Sequence, residues 1–238
     1  MRSLILILFF VFMLPLQAQQ SDFKTIDFTR ADQIATAHKG EELYNLPILV
    51  FGLTRNLNTE VEKFRSIYYW VCHNIKGEYN LMQENLRMRK KLQYEIEERI
   101  NWEQNFKKLV LDKLRSDKET LCTGYAILIQ QMAQLAGLEC KIINGYGRLN
   151  RIKMDNIGLP NHSWNAIKLN GKWYLCDATW SSGLTDVSSY LFEFDYDDSY
   201  FLMEPIEFAK NHRPIEATWA LITQPQTSEL GGVPTKLD

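Results

Sequence analysis

The sequence predicts an α+β fold, helical in its first half and built of short antiparallel strands further on. Three observations carry that expectation. Apolar residues recur every three or four positions from Val61 to Ala136, the period of helices with one buried face. After Gly137 they gather instead into short runs with β-branched or aromatic residues, such as Ile142-Ile143 and Trp173-Tyr174. The dipeptide Asn170-Gly171 divides two of those runs, and it is the pair favoured by a type I′ turn, which needs positive φ at both positions. With 45% hydrophobic residues among 238, the chain can fill the core of one large domain.

Residues 1–18 read as a secretory signal peptide. Arg2 gives a positive start, Leu4 to Leu16 an apolar stretch, and Pro15-Leu16-Gln17-Ala18 a cleavage site ending in a small residue. That stretch falls short of the ~20 residues needed to span a bilayer. The mature chain is therefore expected to start near Gln19, exported to the periplasm or outside the cell, without stable membrane insertion. An uncleaved anchor is the alternative, because Leu16 is large for its place before the cut.

Residues 19–115 read as a helical part that contributes to the core. From Ser21 to Gly40 the chain is polar without a clear period, and a turn is expected around Asn45-Leu46-Pro47 and Gly52. Thr59 can cap a helix whose inner face is Val61, Phe64, Ile67, Tyr68, Val71 and Ile75, with Gly77 closing it. Neither glycine nor proline occurs between Gly77 and Gly124. Leu92, Ile96, Ile100, Phe106, Leu109, Val110 and Leu114 fall at helical intervals there, so one long helix or two in succession is expected, with a solvated charged face.

Residues 116–222 read as the catalytic core. Leu121-Cys122-Thr123-Gly124-Tyr125-Ala126 is the first turn of a helix whose inner face is Tyr125, Leu128, Ile129, Met132, Leu135 and Ala136 and whose cap is Gly137. A strand from Glu139 to Tyr146 and a polar loop from Arg148 to Pro160 follow. His162 to Leu169 and Lys172 to Ala178 are the arms of the hairpin. Tyr200 to Pro205 reads as an edge strand, Glu207 to His212 as a short helix and Trp219 to Ile222 as a last packed segment. Residues 223–238 read as a flexible tail.

Cys122, His162 and Asp177 form the candidate site. A cysteine in the first turn of a helix sees backbone N–H groups and the positive end of the helix dipole, which favour thiolate over a thiol of pKa ~8.5. The hairpin register sets Leu169 opposite Lys172, Trp164 opposite Asp177 and His162 opposite Thr179. His162 and Asp177 are then diagonal neighbours on one face, ~7–8 Å apart and within side-chain reach. A thiol, an imidazole and a carboxylate suit a nucleophile, its base and the group that orients the base.

Charge and cysteine usage exclude other classes. The formal net charge is -2, and -3 once Arg2 is removed, so no basic surplus suits nucleic acid. Four cysteines are too few for a disulfide scaffold; with Cys122 a free thiol, Cys72, Cys140 and Cys176 leave at most one bridge, and buried small hydrophobes is the plainer reading. His38, His73, His162 and His212 do not fall at zinc-ligand spacings, so neither metal nor cofactor is expected.

Four segments in order, Leu121-Cys-Thr-Gly-Tyr-Ala, Asn161-His-Ser-Trp-Asn-Ala-Ile, Gly171-Lys-Trp-Tyr-Leu-Cys-Asp-Ala-Thr-Trp and Tyr200-Phe-Leu-Met-Glu-Pro, resemble the transglutaminase-like superfamily. Within it the likeness is to the bacterial branch related to the kyphoscoliosis-type peptidases, and it runs from about Ile67 to Ile222. The resemblance implies a papain-like core with the nucleophile helix packed on an antiparallel sheet. It also implies Cys122 as nucleophile, His162 as base and Asp177 as the residue orienting it. The chain departs from such relatives at Asn74-Ile75-Lys76-Gly77-Glu78, at Thr123 where glutamate is common, and at Ser181-Ser182 where glycine is usual.

The chemistry expected is attack of the Cys122 thiolate on an amide carbonyl, with the Cys122 N–H as first donor to the oxyanion. Trp70 and Asn74 are candidates for a second donor, and Trp164 and Trp180 for the lining of a substrate cleft beside Trp173 and Tyr146. The leading expectation is an exported cysteine peptidase or amidase acting on a protein or peptide, including cell-wall peptide. Cross-linking by acyl transfer to amines shares the triad, and a non-catalytic binding module that retains the fold is the third reading.

Overall fold

The computed structural model describes residues 20–148, 159–186 and 189–222. The signal-peptide segment, most of the loop between Arg148 and Pro160, and the tail from 223 onward lie outside the described residues.

Two helices occupy the stretch read as polar chain and turn. Helix α1 (Thr29–Ala37) buries little more than Ala31 and Ala35, too faint a stripe to show as a period. Helix α2 (Leu46–Thr54) carries Pro47 in its first turn, where the missing N–H costs no bond, and Gly52 inside it. A Cβ on Gly52 would come within 2.5 Å of the His38 ring, so the glycine marks a close approach rather than a turn.

Helix α3 (Glu60–Asn74) starts as expected. Thr59 and Glu62 form a reciprocal capping box, and Val61, Phe64, Ile67, Tyr68 and Val71 are wholly buried. It ends at Asn74 rather than at Gly77. The Asn74 amide turns back to the Trp70 carbonyl at 2.8 Å, Ile75 becomes extended, and Lys76–Gly77 (β1) pairs in parallel with Glu119–Thr120 (β2). The charged stretch between them is two helices, α4 (Tyr79–Lys91) and α5 (Ile96–Asp117), the second stopped by Lys118 at φ 57.

Helix α6 (Cys122–Leu135) packs across a four-stranded antiparallel sheet of β3 (Cys140–Gly147), β4 (His162–Leu169), β5 (Lys172–Cys176) and β8 (His212–Pro214), in the order β5-β4-β3-β8. Asn170 and Gly171 take positive φ, and Leu169 faces Lys172 as expected. The β4 and β5 pairing ends at Asn165 opposite Cys176, because Asp177 caps a short helix α7 (Ala178–Ser182); Thr179 therefore lies on a helix, not opposite His162. A two-stranded ribbon, β6 (Gly183–Thr185) with β7 (Phe192–Phe194), follows.

Residues 200–205 differ from the expected edge strand. A 3₁₀ turn spans Asp198–Tyr200, Leu202 takes φ 52, and only Met203 bridges to Leu175. Pro205 opens α8 (Pro205–Phe208), a 3₁₀ turn spans Ala217–Ala220, and His212, expected at the end of a short helix, begins β8.

The main core lies between α3, α6 and the sheet, where Phe64, Trp70, Ile129, Met132, Ile167 and Cys176 interlock. Two polar bonds fix α6 in it. The Tyr125 hydroxyl donates to the Ile75 carbonyl at 2.7 Å, and the Asn165 amide to the Ala126 carbonyl at 2.9 Å. Both lie next to the first turn of α6, so the position of Cys122 is set by the core beneath it.

Candidate active site

Cys122 is the first residue of α6, half-buried at the floor of a cleft of about 430 Å³. Leu121 before it supplies no side-chain cap. The helix start is held close to β2 by Gly124, whose imaginary Cβ would lie 1.8 Å from Thr120 Oγ1. That contact gives the spacing Cys-Thr-Gly its physical reason.

His162 opens β4 across the cleft. The strand end is pinned there because Asn161 accepts from the Gly147 N–H at 2.7 Å and donates to the Gly147 carbonyl at 3.2 Å. A Cβ on Gly147 would sit 2.9 Å from three atoms of His162, so the glycine makes room for the imidazole. Asp177 follows the end of β5. Its Oδ1 accepts the Thr179 and Trp180 N–H groups at 2.9 and 3.3 Å, and its Oδ2 meets His162 Nε2 at 2.6 Å. With Nε2 on the carboxylate, the other ring nitrogen is left for the Cys122 thiol, which also accepts the Ser163 backbone N–H.

The electrostatics follow from this chain of contacts. Burial alone would raise the Cys122 pKa, but the hydrogen bond and charge of His162 and the Ser163 N–H outweigh it and bring it below its ordinary value. Burial would likewise lower His162, yet the charge of Asp177 and the bonds to Asp177 and Cys122 push it up to about 10. Asp177 is held well below the usual carboxylate range: burial opposes its charge, and the His162 charge and the bonds from His162 and His212 prevail. The other three cysteines are free and buried, and burial drives the Cys72 and Cys176 thiols far up and the Cys140 thiol to about 12.

The remaining candidates are placed differently from one another. Trp70 is wholly buried with its Nε1 on the His38 carbonyl at 2.7 Å, and Asn74 accepts the Gly40 N–H at 2.7 Å; both tie α3 to the end of α1, away from the cleft. Trp180 stacks on the His162 ring at 4.8 Å and 19°. Trp164 is buried beneath the imidazoles, edge-on to His212 at 4.9 Å. Trp173 packs against Trp219, outside the cleft.

His212 joins the cluster without a sequence signal. Its Nε2 lies 3.0 Å from Asp177 Oδ2, the same oxygen that His162 uses. Only the pairing of β8 with β3, which sets His212 opposite Gly147, brings it there. His162, His212 and Asp177 each offer an atom within 4.8 Å of the others, a set that can ligate a cation. The oxygen already stands at hydrogen-bond distance from both nitrogens, so an ion with bonds of ~2.0 Å would have to displace them.

Across the cleft stand α4 and α5. Arg89, Arg99 and Lys107 line it with Glu103, and Arg89 also bonds the Pro160 carbonyl.

Helix-mounted thiol, strand-mounted imidazole and capping carboxylate on an α+β core are the features of one protein class. The model of the transglutaminase-like superfamily matches residues 48–178, and the chain belongs to that superfamily. It is 36% identical over 181 residues to "Kyphoscoliosis peptidase" of Homo sapiens, a match covering 75% of this chain and 24% of that protein. It is 26% identical over 228 residues to "Hillarin" of Drosophila melanogaster, covering 85% of this chain and 24% of that one. The chain thus spans about a quarter of the length of these curated relatives. A solved structure described as "Crystal structure of a TGase" overlays with a TM-score of 0.39 at 13% identity, over 76% of this chain and 40% of that chain.

Proposed function

We propose that the chain is an exported thiol-dependent amide hydrolase, a cysteine peptidase or amidase that works through an acyl-enzyme on a protein or peptide substrate. The observation that carries this reading is the buried relay from Cys122 through His162 to Asp177, with the thiol shifted below its ordinary pKa. Export rests on the charge and apolar pattern of residues 1–18.

In this reading the Cys122 thiolate attacks the amide carbonyl carbon, and the carbonyl π electrons move to oxygen. The Cys122 N–H at the uncapped start of α6 donates to that oxyanion. His162 then gives its proton to the departing amine as the C–N bond breaks, leaving a thioester. Water resolves the thioester with His162 as base, releasing the acid and restoring the thiol. Asp177 keeps the ring oriented and stabilises the imidazolium.

The test begins with iodoacetamide alkylation of the mature protein across pH, read cysteine by cysteine. Fast reaction of Cys122 well below pH 8 that slows in His162→Ala supports the relay. Reaction no faster than an ordinary thiol, indifferent to that change, leaves a binding module. Peptide and isopeptide libraries with and without added lysine amine then separate hydrolysis from transamidation by the mass of the product.

A further inference from the structure

Asp177 serves two histidines. Its Oδ1 is filled by two backbone N–H groups, and Oδ2 is shared by His162 Nε2 at 2.6 Å and His212 Nε2 at 3.0 Å. His212 is 2% exposed and wedged in place, with Phe208 stacked at 3.8 Å and Trp180 at 4.2 Å. The Asn211 amide bridges its Nδ1 at 2.6 Å and the Tyr200 hydroxyl at 3.2 Å, fixing the ring plane. A histidine this deeply set with one nitrogen on a carboxylate does more than fill space, and it lies outside the residues that the superfamily model matches.

We propose that His212 is a positioning residue that, by sharing Asp177 Oδ2 with His162, tempers the hold of the carboxylate on the imidazole and sets the pH at which Cys122 and His162 ionise as a pair. The proposal rests on the relay read above. A carboxylate oxygen has two lone-pair sites, and a second donor withdraws charge from the bond to the first. His212 is the second donor to that oxygen: burial lowers its pKa, the bond and charge of Asp177 raise it, and the His162 charge lowers it. His162 and Asp177 are the charged groups that face it, with the Tyr200 ring beyond and Cys122 behind His162. On the other side of Asp177 stand the Cys72 and Cys176 thiols and the Tyr125 phenol, which burial keeps neutral.

Removing the second donor leaves His162 alone on Oδ2. The imidazolium is then held more strongly, and the thiolate forms at lower pH. His212→Leu removes the donor at similar volume. His212→Asn keeps an amide too short to reach Asp177, and His212→Gln places an N–H close to the original Nε2.

The experiment is the pH dependence of iodoacetamide alkylation at Cys122 in the full mature chain and these three variants, with thermal unfolding recorded alongside. The Leu and Asn variants are expected to shift the alkylation midpoint down by about one unit, so that one unit below the native midpoint they react about fivefold faster. The Gln variant is expected to keep the native midpoint. An unchanged midpoint in all three, an equal shift in all three, or a rise in the Leu and Asn variants overturns the inference. If Leu prevents folding, the Asn and Gln pair, one methylene apart, decides alone. A native Cys122 that alkylates as an ordinary thiol is a separate outcome, which sinks the relay itself and the inference with it.

Discussion

The two walls of the cleft are built on different terms. On one side α6 buries Tyr125, Leu128, Ile129 and Met132 in the main core, and two side-chain hydrogen bonds lock its first turn. On the other, α4 buries only Leu81, and α5 buries Phe106, Val110 and Leu114 while Ile96, Ile100 and Leu109 stay exposed. A small cluster of Leu81, Phe106, Val110 and Leu121 is what joins that pair to the Cys122 end of α6. The candidate triad sits on the strongly held wall, and Arg89, Arg99, Glu103 and Lys107 sit on the lightly held one. A firmly packed wall beside a lightly packed one is the division expected when local stability varies across a domain.

The largest expected effects come from breaking the rigid wall at its chemistry. Cys122→Ser should abolish iodoacetamide labelling at that site and lower amide turnover by about 10⁴ or more. Asp177→Asn keeps an acceptor for the α7 cap but loses the charge facing His162, and should lower kcat/KM by about 10³ to 10⁴ while the chain still folds. Far-ultraviolet circular dichroism beside the activity assay checks both.

Next in size is a break in the packing beneath that chemistry. Gly124→Ala drives a methyl into Thr120 Oγ1 and should cost about 1–3 kcal/mol in urea unfolding. Because Thr120 Oγ1 is buried without a hydrogen-bond partner, Thr120→Ala should relieve much of that cost in the double variant. A cost unchanged by Thr120→Ala would place the clash elsewhere.

The same contrast explains what the sequence made legible. Cys122, His162 and Asp177 stand beside strong local signals: a helix start, a strand start and an Asn-Gly turn that fixes the register. The α3 cap at Thr59 was equally plain, though its reciprocal partner Glu62 was not singled out. Helices α1 and α2 were not plain, since alanines do the burying in α1 and, in α2, Pro47 and Gly52 read as a turn although Gly52 is spent on contact with His38. Trp70 and Asn74 share the face periodicity of a helix but bond to the chain after α1, a partner that no spacing reveals. His212 reaches Asp177 only through the pairing of β8 with β3, which joins segments far apart in sequence.

A smaller effect concerns pH and stability. His162 has a folded pKa of about 10 against ~6.5 when unfolded, so its contribution is fully present below ~6.5 and is lost as pH rises through about 10. Asp177 is depressed, so its contribution is present above ~3.9 and is lost as pH falls toward its folded value. The stability gap between the native chain and Asp177→Asn, read by urea unfolding, should therefore be widest between about pH 4 and 6.5 and narrow toward pH 10. A gap that grows as pH rises from about 6.5 to 10 would contradict an ionised Asp177 and His162 pair.

The smallest effect tests the other wall. Lys107 is exposed on α5 and lines the cleft with Arg89, Arg99 and Glu103, an excess of positive charge above Cys122. Lys107→Glu should change unfolding by no more than about 0.5 kcal/mol, because it touches nothing in the core. Its effect should appear in the choice of reagent. Anionic iodoacetate should lose about threefold in its rate at Cys122 while neutral iodoacetamide keeps its own, and salt should erase the difference, as expected for a cleft field acting through solvent. Equal losses for both reagents would mean that α5 also positions the thiol, and the two walls would then be mechanically one.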